Sequence, residues 1–267
     1  MITFSIITIT YNAVAVLSRT LESVAAQTYT DVEHIIVDGA SNDGTLAIAE
    51  DYRRQSDGLC NGHSVVIKSE PDHGIYDAMN KGLGMATGTY VLFLNAGDTF
   101  ASPSTLAEIV GAARLDGTRS EGRPLPAVLY GDTDIYDAAG NFVCHRHLSA
   151  PRRLSWRSFR RGMLVCHQAF YARADIAGRT AYDLKYRYSA DVDWCIRIMK
   201  EAERDTLPMV NVNRVVAHYL REGQTTQNHR ASLKERFDVM RRHYGIISTL
   251  LMHAVFAFRE IARRIAA

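Results

Sequence analysis

Five charged side chains stand where the sequence could set them to chemistry. Asp98 closes Tyr90-Val-Leu-Phe-Leu-Asn-Ala-Gly-Asp98, in which Val91–Leu94 is a short, continuous apolar run. Such a run is the pattern of a strand buried on both faces. Asn95, Gly97 and Asp98 stop it abruptly, so a carboxylate falls at the carboxyl end of the strand, the edge where open α/β sheets bind ligands. A carboxylate there can hold a hard divalent cation, which suits phosphate oxygens; equally, Asp98 can close an Asx-type turn and cap the next helix. Asp77 and Lys81 lie four residues apart on one helix face, as a functional pair or an ordinary solvent-facing ion pair. Asp191 and Asp193 head a helical stretch. On a helix they point about 200° apart, so one alone can face a cleft, and Asp191 also has the position of an N-cap.

The elements that must position these groups read as alternating strands and helices. Ile2–Thr10 is β-branched and apolar, a buried strand ended by Tyr11-Asn12. Ala13–Gln27 carries Val16, Leu17, Leu21 and Val24 at helical spacing. Glu33–Val37 is a second strand, Asp38–Thr45 a polar turn, Leu46–Gln55 a helix and Val65–Lys68 a third strand. This β-α-β-α-β order predicts parallel strands with right-handed crossovers. A loop through Glu70–Gly74, a helix carrying Asp77 and Lys81, the Tyr90–Asp98 strand and a helix near Ser104–Leu115 follow. Thr118–Pro126 reads as an exposed loop. Beyond it, Ala127–Tyr130 and Asn141–Cys144 read as strands flanking Gly131-Asp132-Thr133-Asp134. Val165–Tyr171, the helix led by Asp191, and a strand over Val210–Tyr219 complete the series.

Composition sets the limits. The 267 residues, 47% hydrophobic and 22% charged, suit one large α/β domain with an appendage. A net charge of +2 argues against a dedicated nucleic-acid binder. Cys60, Cys144, Cys166 and Cys195 have no metal-ligand spacing and read as reduced thiols of a cytosolic protein. The start of the chain lacks the pattern of a signal peptide, and no segment has the roughly 20 apolar residues of a membrane span.

Six segments in register resemble the family 2 glycosyltransferases of GT-A fold, in the branch that builds bacterial exopolysaccharide, O-antigen or glycolipid. They are Ser5–Asn12, Val37–Thr45, Asp72–Gly82, Phe93–Asp98, Cys166–Gln168 and Ala190–Trp194, spread over roughly residues 1–220. The resemblance implies an α/β, Rossmann-like GT-A fold: a mainly parallel central sheet flanked by helices, with a C-terminal amphipathic helical extension. It implies a GT-A domain over 1–222, with a nucleotide-sugar half (1–115) and an acceptor half (116–222), and an extension over 223–267. It also implies donor contacts from Thr10, Tyr11, Asn12, Asp38, Asp72, Lys81, Asn95, Ala96 and Gly97. Asp98 aligns with the Asp-x-Asp metal motif as the expected ligand of Mg²⁺ or Mn²⁺, although Asn95-Ala96-Gly97-Asp98 keeps only one carboxylate of that motif. Asp191 matches the catalytic base, with Asp193 its competitor. His167 and Gln168 match the acceptor side. Trp194 is either an acceptor platform or a core residue, and His167 either a site residue or a satisfied core histidine. Tyr219-Leu220-Arg221-Glu222-Gly223-Gln224-Thr225, after His218, matches a glycine-containing loop near the donor.

The reaction so implied is an inverting transfer from a nucleotide-diphosphate sugar to a hydroxyl of a saccharide or lipid-linked acceptor. A sugar-1-phosphate nucleotidyltransferase is the first rival, but its Gly-rich signature is missing after the first strand, where Tyr11-Asn12-Ala13 stands. A non-catalytic nucleotide-sugar-binding protein of the same fold is the second. Gly245–Ala267 alternates apolar residues with Arg259, Arg263 and Arg264, as an interfacial helix would, or one packing on the core or a partner chain. With the basic Arg152–Arg161 segment it suggests a cytoplasmic protein, peripheral at the inner face of the membrane. Oligomeric state is not legible.

Overall fold

The computed structural model describes residues 2–59, 61–117, 122–221 and 229–266. Strand β1 (Phe4–Thr10) is buried along its whole length, because parallel neighbours β2 (Val32–Asp38) and β4 (Tyr90–Phe93) flank it on both sides. β3 (His63–Ser69) adds in parallel outside β2. The connecting helices are α1 (Leu17–Ala25), α2 (Thr45–Leu59) and α3 (Ile75–Met85). With Leu17, Leu21 and Val24 buried, α1 shows the side that its apolar spacing predicts.

The second half joins the same sheet with mixed polarity. β8 (Phe170–Arg173) runs antiparallel to β4 and to β6 (Val128–Tyr136), and β9 (Met209–Leu220) runs parallel to β6. Two short strands, β5 (Thr99–Phe100) and β7 (Phe142–His145), pair antiparallel with β9 and β6. The order is β3-β2-β1-β4-β8-β6-β9-β5, with β7 beside β6. The helices α4 (Thr105–Ala112), α5 (Ala174–Ala177), α6 (Ala190–Arg204), α7 (His229–Tyr244) and α8 (Ile246–Ala266) complete the molecule. This is the α/β GT-A architecture with flanking helices. Among the described residues no helix is long and apolar enough to cross a membrane.

Two expectations change. The strand expected to end at Tyr130 runs on through Gly131-Asp132-Thr133-Asp134, the middle of β6, where neighbouring segments satisfy the polar side chains. Asp132 accepts the Ala150 N–H at 2.7 Å and Asp134 pairs with His145 at 2.8 Å. The strand expected over Tyr90–Asp98 ends at Phe93. Its backbone still follows β1, the N–H groups of Leu94 and Ala96 donating to Ile7 and Ile9 at 3.0 and 3.1 Å. That extension sets Asn95 and Ala96 beside Thr10.

Candidate active site

A cavity of about 360 Å³ opens at the carboxyl edge of β1 and β4. Thr10, Tyr11, Asp72, Asn95, Ala96 and Asp98 line one part of it; His167, Gln168, Arg187, Tyr188 and Asp191 line the other. β1 delivers Thr10 and Tyr11 directly. Asn95 to Asp98 form a tight turn, closed by the Asp98 N–H on the Asn95 carbonyl at 2.9 Å. Gly97, at φ +98°, takes the positive-φ third position that a type II turn requires. A Cβ there would also stand 2.5 Å from Leu220 Cδ2, so the residue must be glycine.

This turn presents Asp98 almost fully buried, at 4% exposure. Its Oδ1 accepts the Leu220 N–H and its Oδ2 the Gln168 amide, both at 2.9 Å. Burial pushes its carboxyl above the usual range, and these neutral donors offset the push only in part. Beside it, the Thr10 Oγ1 and Asn95 Oδ1 atoms are buried without a hydrogen-bond partner among the described residues. Unpaired buried oxygens on a cavity wall carry a desolvation cost that a ligand would relieve. No group of three His, Cys, Asp or Glu among the described residues makes a protein-only metal cage. The donor set is therefore Asp98, with lone pairs to spare beyond its two hydrogen bonds, and the Asn95 side-chain Oδ1. Such hard oxygen ligands fit a divalent cation completed by water and substrate phosphates.

Across the cavity, α6 begins at Ala190 and splits its two leading carboxylates. Asp191 lines the cavity with its side chain 17% exposed. Its Oδ1 accepts the Tyr76 hydroxyl at 3.2 Å and the Val192 N–H at 2.9 Å. His167 Nδ1 lies 3.4 Å from Oδ2, and His167 Nε2 lies 3.3 Å from the Asn95 amide nitrogen. The tautomer with Nδ1–H matches both contacts, donating to Asp191 and accepting from Asn95. Burial pushes the Asp191 carboxyl up, but the His167 contact, the Arg236 guanidinium and the Val192 N–H outweigh it and hold the group below the usual carboxylate range. Asp193 is fully buried and faces elsewhere, with Arg197 Nε at 2.6 Å and His243 Nε2 at 2.8 Å. It belongs to the seam between α6 and α7.

Three of the expected donor-side residues stand behind the cavity wall. Asp38 is fully buried, its oxygens taken by the Ser41 N–H and by the hydroxyls of Ser41 and Ser69. Asn12 ties the loop after β1 to the loop after β2 through the Asn42 N–H. Lys81 reaches Glu70 at 3.0 Å, the Pro71 carbonyl at 2.7 Å and Asp77 at 3.6 Å, bracing the loop that carries Asp72. Asp72 itself reaches the cavity because Gly39 has no side chain; a Cβ there would stand 2.5 Å from Asp72 Oδ2.

Trp194 corrects an expectation. It is no acceptor platform: fully buried, it stacks on Tyr182 at 5.0 Å and donates its indole N–H to the Thr180 carbonyl at 2.6 Å. Helical rotation turns it from the cavity into the core beside Phe93 and Phe170. Of the loop expected over Tyr219–Thr225, Tyr219 and Leu220 are instead the end of β9, and 222–225 lie outside the described residues. Tyr76, Arg187 and Tyr188 line the cavity although the sequence does not single them out, and Tyr219 lines it from the end of β9. For Tyr76 a signal existed: its neighbour Asp77 faces Lys81 on the outer side of α3, and a rotation of about 100° turns Tyr76 inward.

Comparison with known proteins agrees with this geometry. The description "Glycosyl transferase family 2" matches residues 5–173. A PGL/p-HBAD biosynthesis glycosyltransferase of Mycobacterium bovis is 38% identical over 195 residues, covering 73% of this chain and 68% of that protein. S. aureus TarS 1–349, solved in complex with UDP-GlcNAc, superposes with a TM-score of 0.66 at 19% identity, over 90% of this chain and 64% of that one. The present chain spans 38% of the longer TarS chain. The mannosyltransferase PcManGT from Pyrobaculum calidifontis, in complex with GDP-Man and Mn²⁺, superposes with a TM-score of 0.61 at 15% identity, over 96% of this chain and 75% of that one.

Proposed function

The chain is a family 2 glycosyltransferase, and from that premise we propose that it transfers a sugar, with inversion, from a nucleotide-diphosphate sugar to a hydroxyl of a saccharide or lipid-linked acceptor, in the synthesis of cell-surface polysaccharide or glycolipid. One observation carries this reading: Asp98 and Asp191 line the same cavity, the first among neutral donors and the second held ionised.

On this reading Thr10, Tyr11, Asp72, Asn95 and Ala96 hold the donor, with the Gly97 turn shaping the wall. Asp98 and the Asn95 side-chain Oδ1 would hold Mg²⁺ or Mn²⁺. The bound cation would supply countercharge to the departing diphosphate. Asp191 accepts the proton of the acceptor hydroxyl as that oxygen bonds to the anomeric carbon. The bond from anomeric carbon to phosphate oxygen breaks on the opposite face, and its electron pair leaves with the nucleoside diphosphate. Tyr76 and the Val192 N–H fix Oδ1, and His167 and Gln168 line the acceptor side of the base.

The test is nucleotide release from UDP-, GDP- and dTDP-sugars with Mg²⁺, Mn²⁺ or EDTA, in wild type, Asp98→Ala and Asp191→Asn. Metal-dependent release from one donor, abolished by the first change and strongly reduced by the second, is expected. Release indifferent to both would sink the assignment. Binding without turnover, with any acceptor offered, would favour a non-catalytic member.

The same proposal includes contact with an anionic membrane surface. α8 turns Ile247, Leu250, Leu251 and Phe258 to solvent, Ile247 and Phe258 each 74% exposed. Its first turns pack beside the 3₁₀ turn Trp156–Arg161, whose Arg157, Arg160 and Arg161 are exposed. Apolar side chains flanked by cations match the boundary between acyl chains and anionic headgroups. Sedimentation with phosphatidylglycerol vesicles should be lost in Ile247→Glu/Leu251→Glu. Retained sedimentation, or a dimer broken by the same changes, would refute the membrane reading.

A further inference from the structure

The N-terminus of α6 is organised by a residue from another helix. Ser189 occupies the N-cap position, yet its side chain makes no capping bond; its hydroxyl instead donates to the Ser232 carbonyl of α7 at 3.2 Å. The backbone N–H groups just ahead of α6 all turn to one carboxylate on α7. Glu235 Oε1 accepts from Arg187 at 2.9 Å, and Oε2 accepts from Tyr188 at 2.7 Å and from Ser189 at 3.0 Å. Hydrogen bonds from a carboxylate to backbone N–H groups are charge-assisted and stronger than neutral ones. Arg187 and Tyr188 line the cavity, and Asp191 follows two residues after Ser189.

We propose that Glu235 is a positioning residue of the active site, fixing the backbone of Arg187–Ser189 so that Arg187, Tyr188 and Asp191 present their side chains to the acceptor. The proposal rests on the reading of Asp191 as the base. Glu235 touches no reacting atom; it acts by setting where α6 begins and which way its first turn faces. The extension of the chain beyond β9 is on this view part of the catalytic apparatus. A single-residue slip at Ser189 would rotate Asp191 by about 100° and carry its carboxylate out of the cavity.

The test compares Glu235→Ala, Glu235→Gln and Glu235→Asp in the full chain, with Asp191→Asn as reference. Three readouts are needed: kcat for nucleotide release from the donor found above, affinity for the free nucleoside diphosphate by calorimetry, and amide hydrogen exchange across Asp183–Asp193. Glu235→Ala should lower kcat by about 10- to 100-fold, the scale of a misplaced catalytic group. It should leave nucleotide affinity within about twofold and speed exchange at Arg187, Tyr188 and Ser189. Glu235→Gln, which keeps an acceptor oxygen without the charge, should recover part of kcat and serves if the alanine variant folds poorly. An unchanged kcat, or nucleotide affinity falling in step with kcat, would overturn the positioning role. A fully active Asp191→Asn enzyme would instead overturn the reading of the base, whatever Glu235 does.

Discussion

Asp98 and Asp191 are two largely buried carboxylates on one cavity, and their protonation tendencies are driven in opposite directions. Asp98 meets the Leu220 N–H and the Gln168 amide, which carry no net charge, so burial wins and its pKa rises. Asp191 suffers burial as well, but His167 and Arg236 reverse the balance and its pKa falls. Burial alone therefore does not decide the state of an acid; the charge and donor character of its neighbours do. On the proposed reading, the acid raised by burial would serve a cation, and the acid held ionised by its partners would take up a proton. Two carboxylates given different roles by their surroundings are a familiar arrangement in enzymes.

The sharpest way to break this comparison is to neutralise each acid in turn without changing its shape. Asp191→Asn should lower kcat by about 10²- to 10⁴-fold, the usual worth of a general base, with nucleotide-sugar affinity intact. Asp98→Asn should lower kcat as well, and with it the help that the cation gives to nucleotide binding. Its Oδ1 can still accept the Leu220 N–H, and Gln168 can turn its amide oxygen towards the new Nδ2, so the fold should persist. The effect of Mg²⁺ or Mn²⁺ on nucleotide affinity should fall on the order of tenfold or more. Calorimetry with and without EDTA, beside steady-state kinetics, separates the two effects. If both variants lose kcat alone, the division of labour between the two sides of the cavity is wrong.

The two sides also differ in how far the sequence disclosed them. β1 and β2 lie between parallel neighbours and β4 between β1 and the antiparallel β8, and burial on both faces writes itself as an apolar run. The turn at Asn95–Asp98 was legible because glycine and asparagine interrupt that run. For Lys81, Asn12 and Asp38 the resemblance points to the donor, and the sequence does not show them as loop-builders, since only the fold reveals which way a polar side chain turns. β6 was misread at Gly131–Asp134 because partners distant in sequence, Ala150 and His145, satisfy its aspartates. α7 gave least warning of its role. Its seam with α6 includes polar contacts from Ser232, Glu235 and His243 beside the buried Val239 and Met240, too few apolar residues for hydrophobic periodicity to announce the packing face. The same seam explains why Asp193, a plausible competitor in sequence, is an interior ion-pair residue.

A smaller effect sharpens the account of Asp191. Removing His167 takes away a contact that lowers the Asp191 pKa, leaving the upward push of burial less opposed. In His167→Ala the carboxylate should therefore take up a proton at higher pH than in wild type, moving the acid limb of the kcat profile upward and sparing activity at neutral pH most. The linkage to stability has the same origin. With its folded pKa below the ordinary 3.8, Asp191 contributes stability in full above that value and loses it as pH falls through the folded one. His167→Ala should shrink this contribution, so thermal melts of the variant and wild type should diverge most above the carboxylate range. An acid limb that stays in place would show that His167 does not tune the base.

The smallest functional effect belongs to Trp194, and it tests the boundary between cavity and core. Trp194→Phe deletes the indole N–H that pairs with the Thr180 carbonyl and thins the stack on Tyr182. The buried carbonyl left unpaired should destabilise the fold by about 1–3 kcal/mol. In a chain of this size the melting temperature should fall by roughly 2–4 °C for each kcal/mol. The KM for acceptor and the affinity for nucleotide should not move, because no atom of the ring reaches the cavity. A variant with unchanged melting temperature but a raised acceptor KM would return Trp194 to the acceptor side. Loss of stability at constant KM fixes it as the packing that holds α6, and with it Asp191, against the sheet.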